Sequence, residues 1–163
     1  MGAGNLTDDK IAALIVMPKQ VTNPGARRKV NSKHEQVNYY AIGNDDETAF
    51  QIFARQSIKI AESFSCGLLW VSPSGETVTL VRYNGTNHPH ENPLESERFE
   101  FLCHIHKATE RYIAVNKKPE TYAEKTDRYR TLNGAINCLL KDCAVTGLDV
   151  EPENQTRGLF DDD

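Results

Sequence analysis

The order of apolar and polar positions changes period along the chain, and those changes divide it into elements. Thr7 followed by Asp8 and Asp9 opens a helix, because the hydroxyl satisfies an orphan N–H and the acids face the positive helix end. Ile11, Leu14 and Ile15 give it one apolar stripe, and Pro18 stops it. Residues 21–31 are rich in Asn, Pro, Gly and Arg and read as a mobile connection. From Glu35 to Arg82 the apolar residues fall in short runs of Val, Ile, Phe and Tyr between turn signals: EQVNYYAIG, TAFQIFARQSI, GLLWVSP and TVTLVRY. These predict strands, the last two joined as a hairpin about Ser74 and Gly75. Residues 58–66 fit either a continued strand or a brief helix.

Beyond the loop NGTNHPHENP, the run FEFLCHIHKAT reads as another strand, which ERYIAV follows or finishes. A last helix is predicted from near Thr126 or Asp127, with Tyr129, Leu132, Ile136, Leu139, Leu140 and Cys143 on one face and Gly147 at its end. The expected fold is α+β in two layers: a mainly antiparallel sheet of about five or six strands packed against the C-terminal helix, with a short N-terminal helix. The expected organisation is a helix and basic connecting segment over 1–34, a core domain over 35–148 and an acidic disordered tail over 149–163.

Composition narrows the class. At 163 residues, 39% hydrophobic and 26% charged, the chain suits one domain, and no apolar run approaches the roughly 20 residues of a membrane helix. The start lacks a basic n-region and has Leu6 where myristoylation needs Ser or Thr, so the expected location is the cytoplasm. Cys66, Cys103, Cys138 and Cys143 form no C-x-x-C pair and are expected as buried reduced thiols. The net charge of −4 is unevenly placed: residues 149–163 carry six acids against Arg157, leaving +1 for the remainder. Conversely, residues 18–34 contain Lys19, Arg27, Arg28, Lys29 and Lys33 without an acid, a segment that suits either phosphate attraction or plain solvation.

The most informative feature is the histidines: four of five, His88, His90, His104 and His106, lie within nineteen residues. Strand alternation puts His104 and His106 on one face, and Pro89 keeps the H-P-H stretch extended. If the loop folds back, the imidazoles converge, and three uses compete. They transfer protons as general acid and base, with RNA supplying its own 2′-hydroxyl as nucleophile. They bind a divalent metal, for which His88-x-His90 with Glu95 is similar to the first ligand motif of cupins without its glycines. Or they lock a loop onto a strand by hydrogen bonding backbone.

The proton-transfer reading takes His90, His104 and His106 as catalytic residues, with no cofactor, and a divalent metal on the cluster is its alternative. Arg82 and Arg111 suit phosphate, and Tyr83 and Tyr112 suit base stacking, with His88 and Asn92 completing the candidate substrate-binding set. The duller account has the tyrosines half-buried and the arginines paired with Glu97, Glu100 and Glu110. No phosphate-binding glycine loop, dinucleotide fingerprint or nucleophile elbow is present in the sequence.

The stretch RYNGTNHPHENPLESERFEFLCHIHKATERY, through Pro89, His90, Asn92, Pro93, His104 and His106, resembles two small bacterial and phage families. One is a group with a P-H-x-N-P loop followed by P-H-x-H on a strand, and the other is the TumE-type toxins of toxin–antitoxin pairs. Here Asn84 stands where an aspartate is expected, and Cys103 where a proline is. The resemblance implies a small cytoplasmic protein of mobile elements or defence systems, toxic through RNA cleavage, with a cognate antitoxin as partner. The alternative expectation is a binding module without catalysis that sequesters a nucleotide signal or docks on a host defence protein.

Overall fold

A computed structural model describes residues 6–87 and 89–150. The chain is α+β, as the hydrophobic pattern predicts, but among the described residues its main sheet has nine strands. The extra strands are short and hide in polar segments. Helix α1 (Asp8–Val16) is capped by Thr7, whose hydroxyl accepts from the Lys10 N–H. It leads into β1 (Lys19–Val21) and β2 (Lys29–Asn31), which lie inside the basic segment 18–34 and pair with opposite ends of the long β3 (His34–Gly43). The strands β4 (Ala49–Ser57), β5 (Phe64–Val71) and β6 (Thr77–Asn84) follow as an antiparallel meander. Residues 58–63 are turns rather than strand or helix. As predicted, β5 and β6 form a hairpin, in which Gly75 takes φ +92°, a conformation that favours glycine.

The predicted FEFLCHIHKAT strand divides in two. Its start belongs to a small hairpin of β7 (His90–Asn92) and β8 (Glu97–Phe99), and only β9 (His104–Lys107) joins the main sheet, beside β6. Phe101 at φ +55° turns the chain between the two parts. ERYIAV, expected to extend or follow that strand, instead forms helix α2 (Glu110–Ala114). Thr109 caps it through the Tyr112 N–H, so a local cap overrides the β-propensity of Tyr, Ile and Val. A 3-10 turn (Pro119–Thr121) leads to β10 (Ala123–Lys125), the edge strand beside β9.

Helix α3 starts later than its apolar spacing suggests, at Leu132, because Thr131 supplies the N-cap. It ends at Asp142 rather than at Gly147, which follows the two-residue β11 (Val145–Thr146), a parallel partner of β1. The sheet order is therefore β10-β9-β6-β5-β4-β3-β1-β11.

Alternation then sorts the two faces. Val37, Tyr39 and Ala41 pair through Ala54, Ile52 and Phe50 to Cys66, Leu68 and Trp70, all buried in one core with Leu132, Ile136 and Leu139 of α3. Three of the four cysteines, Cys66, Cys103 and Cys143, are buried there. Lys19 of the basic segment also turns inward: its ammonium donates to the carbonyls of Ile15, Met17 and Cys143 at 2.7–2.8 Å, tying together the ends of α1 and α3. It is thereby withdrawn from any anion outside. The acidic tail beyond Val150 lies outside the described residues.

Candidate metal centre

The other face of the sheet carries the site. Register pairs Arg82 with His106 and Asn84 with His104 between β6 and β9, and His104 with Lys125 and His106 with Ala123 between β9 and β10. Directly opposed residues share a face, so Arg82, Asn84, His104 and His106 form one polar block. The β7–β8 hairpin folds over it. Its His90 ring stacks on His104 (centroids 5.3 Å, 18° between planes) and meets His106 edge-on at 4.7 Å, while Phe99 closes the side at 5.8 Å from His104. One nitrogen from each of the three imidazoles lies within 4.8 Å of the others.

Hydrogen bonds fix which nitrogens carry lone pairs. Nδ1 of His104 lies 2.8 Å from the Leu102 carbonyl, and Nδ1 of His106 lies 2.8 Å from the Glu120 carbonyl. A carbonyl only accepts, so both Nδ1 atoms donate and both Nε2 atoms keep their lone pairs. His90 is set the other way round. Its Nε2 lies 2.7 Å from Oδ1 of Asn92, an oxygen that also accepts from the Ala123 N–H, while Nδ2 of Asn92 donates to the Ala123 carbonyl and to Glu97. Asn92 is thus oriented by its own bonds, Nε2 of His90 must donate, and Nδ1 of His90 keeps the lone pair. Each ring is anchored through one nitrogen to a carbonyl or amide oxygen, and the second nitrogen of His104 faces the Asn84 amide; anchoring of this kind supports metal-ligating histidines.

Electrostatics agree with that use. His104 and His106 are 1% and 4% exposed. Burial, with Arg82 and the two other imidazoles adding to it, pushes His106 down to about 3, so it is neutral near pH 7. A neutral imidazole is a ligand, whereas a proton shuttle needs a pKa near the working pH. Nδ2 of Asn84 lies 3.5 Å from Nε2 of His104, and Oδ1 of Asn84 is buried with no hydrogen-bond partner. A buried polar atom left unmet beside the histidines is one that a water or an ion satisfies.

The remaining predicted residues separate. Arg82 stands beside the cluster, 3.6 Å from the carboxylate of the buried Glu120. Asn92 is fully buried and supports His90, with its polar atoms engaged. Tyr83 points to the opposite face of the sheet, where its hydroxyl donates to Asp142 at 2.6 Å, so the structure does not bring it to the site. Tyr112 is buried and donates to Glu95, which also accepts from Arg111 at 2.6 Å. Arg111 lies over the Tyr122 ring at 4.6 Å, and this group holds the β7–β8 connection to α2 rather than facing the histidines. His88 lies outside the described residues.

Glu120, Phe99 and Asn84 were not readable as site residues from the sequence. Asn84 carried a partial signal, standing two residues after Arg82 and so on the same face. Compared with protein-family models, curated proteins and solved structures, the chain matches none of them. Among the described residues no helix is long and apolar enough to cross a membrane.

Proposed function

We propose that the protein is a metal-dependent hydrolase acting on RNA, an effector of the toxin type, with a divalent ion held by Nδ1 of His90 and Nε2 of His104 and His106. The observation that supports it is the set of anchored tautomers, which leaves one lone pair on each ring, together with one ligand nitrogen of each ring lying within 4.8 Å of the others. Three imidazoles are a common catalytic ligand set for zinc and leave a coordination position for water or substrate. A bound divalent ion supplies activated water and neutralises charge that develops on a phosphoryl oxygen.

The chain's own residues do the rest. Asn92 and the Leu102 and Glu120 carbonyls hold the rings in place, and the Asn84 amide stands 3.5 Å from Nε2 of His104. Arg82 supplies a fixed positive charge next to His106, suited to a phosphate oxygen. Phe99 and the hairpin limit water, so the charges act at a lower local dielectric.

Metal-free proton transfer by the same histidines is the weaker form of the reading, because His106 does not hold a proton near neutrality. A second reading, a metal that only clamps the β7–β8 hairpin to the sheet, is favoured by how little of His104 and His106 is exposed. Incubation of RNA with protein reconstituted with zinc, manganese or no metal separates these. Cleavage that requires metal and disappears in His104→Ala supports the hydrolase. Intact RNA with a metal-dependent rise in Tm leaves the clamp.

A further inference from the structure

Beside the histidines the same sheet face forms a groove of about 380 Å³ lined by residues that include His34, Phe53, Arg55, Ser65, Arg82 and Asn84. They come from four consecutive strands, and register places Arg55 opposite Ser65 and Ser65 opposite Asn84. The groove therefore runs across the sheet and meets the His104 end of the metal centre at Asn84.

Its chemistry is one-sided. None of the lining residues is a carboxylate. Arg55 lies 3.2 Å from Nδ1 of His34 and has no carboxylate partner among the described residues. Among the described residues the second guanidinium, Arg82, pairs with Glu120 at 3.6 Å, an ion pair longer than a hydrogen bond that leaves its N–H donors available. Burial first, and then the charges of Arg55 and Lys33, hold His34 below the ordinary histidine value. Two guanidiniums with donors to spare fit a phosphate.

The floor is aromatic. A Cβ on Gly67 would lie 2.6 Å from Cε1 and 3.0 Å from Cζ of Phe53, so the Phe53 ring lies across the glycine, on the sheet surface. An aromatic ring on a strand beside cationic groups is the arrangement that stacks unpaired bases in single-strand recognition.

We propose that this groove binds one nucleotide unit, its phosphate held by Arg55 and Arg82 and its base stacked on Phe53. The assignment rests on the hydrolase reading only for its consequence, that the next phosphodiester is directed past Asn84 to the metal. The binding itself does not need the ion.

The test is calorimetric titration of metal-stripped protein with adenosine 5′-monophosphate, adenosine and inorganic phosphate at low salt. The monophosphate is expected to bind at least about tenfold more tightly than either fragment. Arg55→Gln, a change at an exposed side chain, is expected to weaken it about tenfold or more, and Phe53→Leu to reduce it to the affinity of phosphate alone. Equal affinity for the monophosphate and phosphate would overturn the stacking platform. Absence of binding at millimolar concentration, or binding unchanged in Arg55→Gln, would overturn the proposal altogether. An oligoadenylate decamer that binds more tightly than the monophosphate, with a steep salt dependence, identifies RNA as the source of the unit, and equal affinity identifies a free nucleotide. Because stripped protein is used, failure of the metal reading leaves these outcomes unaffected, and metal binding stands if they fail.

Discussion

Asn92 accepts a hydrogen bond from Nε2 of His90 at 2.7 Å through the same oxygen that accepts from the Ala123 N–H. That one amide joins the β7–β8 hairpin to the edge strand β10 and decides which nitrogen of His90 donates and which keeps its lone pair. Replacement by Leu leaves the Ala123 N–H and carbonyl without their partner, each worth about 1–3 kcal/mol when buried. Asn92→Leu should lower stability by that order and weaken divalent-metal affinity about 10–100-fold, the usual effect of removing a ligand's support. Chemical denaturation and competitive zinc titration measure the two effects separately.

The core side of β6 is predicted to be independent of the site. Tyr83 donates to Asp142, whose carboxylate also accepts two bonds from Arg128 at 2.8 and 2.9 Å. Tyr83→Phe removes one charge-assisted bond and should cost about 1.5–3 kcal/mol, with no change in metal stoichiometry or in RNA cleavage. A loss of cleavage at unchanged stability would mean that Tyr83 reaches the substrate.

Gly67 supports the groove through its missing side chain. Besides the Phe53 contact, an added Cβ would lie 2.9 Å from the Val81 carbonyl, which belongs to the neighbouring strand and cannot swing away. Gly67→Ala should cost about 1–3 kcal/mol by overpacking and displace the Phe53 ring, weakening nucleotide binding while metal binding persists. Thermal melts with and without adenosine 5′-monophosphate read both.

The acid limb of stability carries the signature of His106. Its folded value of about 3 lies below the ordinary 6.5, so between those values the unfolded chain binds the proton and the folded chain does not. In metal-stripped protein the contribution of His106 is therefore full above about pH 6.5 and is lost progressively as pH falls toward about 3, with a slope of at most about 1.4 kcal/mol per unit. Urea unfolding from pH 7 to 4.5, above the range in which most carboxylates titrate, should show this slope and show it reduced in His106→Gln.

What the sequence made legible follows from periods. The two-residue period of H-I-H placed His104 and His106 on one face, and the same rule applied to Arg82 and Tyr83 separates them, because adjacent strand residues face opposite sides. The long meander β3 to β6 was readable from its apolar runs and the Ser74-Gly75 turn. The three-residue strands were not: Lys19–Val21 and Lys29–Asn31 sit among Pro, Asn and Arg and exist because β3 offers them a partner, and His90–Asn92 exists only through its hairpin with Glu97–Phe99. Helix α2 carried its signal in the Thr109 cap, outweighed by a β-like composition. The meeting of His90 with the other imidazoles depends on the fold of the loop over the sheet; the bonds on His90 and His104 are local, but the one on His106 comes from Glu120, and Asn92 is itself oriented by the distant Ala123.

The most direct measurement is titration of stripped protein with cobalt(II), read by visible absorption, together with elemental analysis of the protein as purified from zinc-supplemented culture. One ion per chain is expected, with d–d bands of a histidine-ligated centre that are lost in His104→Ala and in His106→Ala while far-ultraviolet circular dichroism shows each variant folded. Protein that takes up no ion, or takes it up equally well without these imidazoles, would contradict the metal centre.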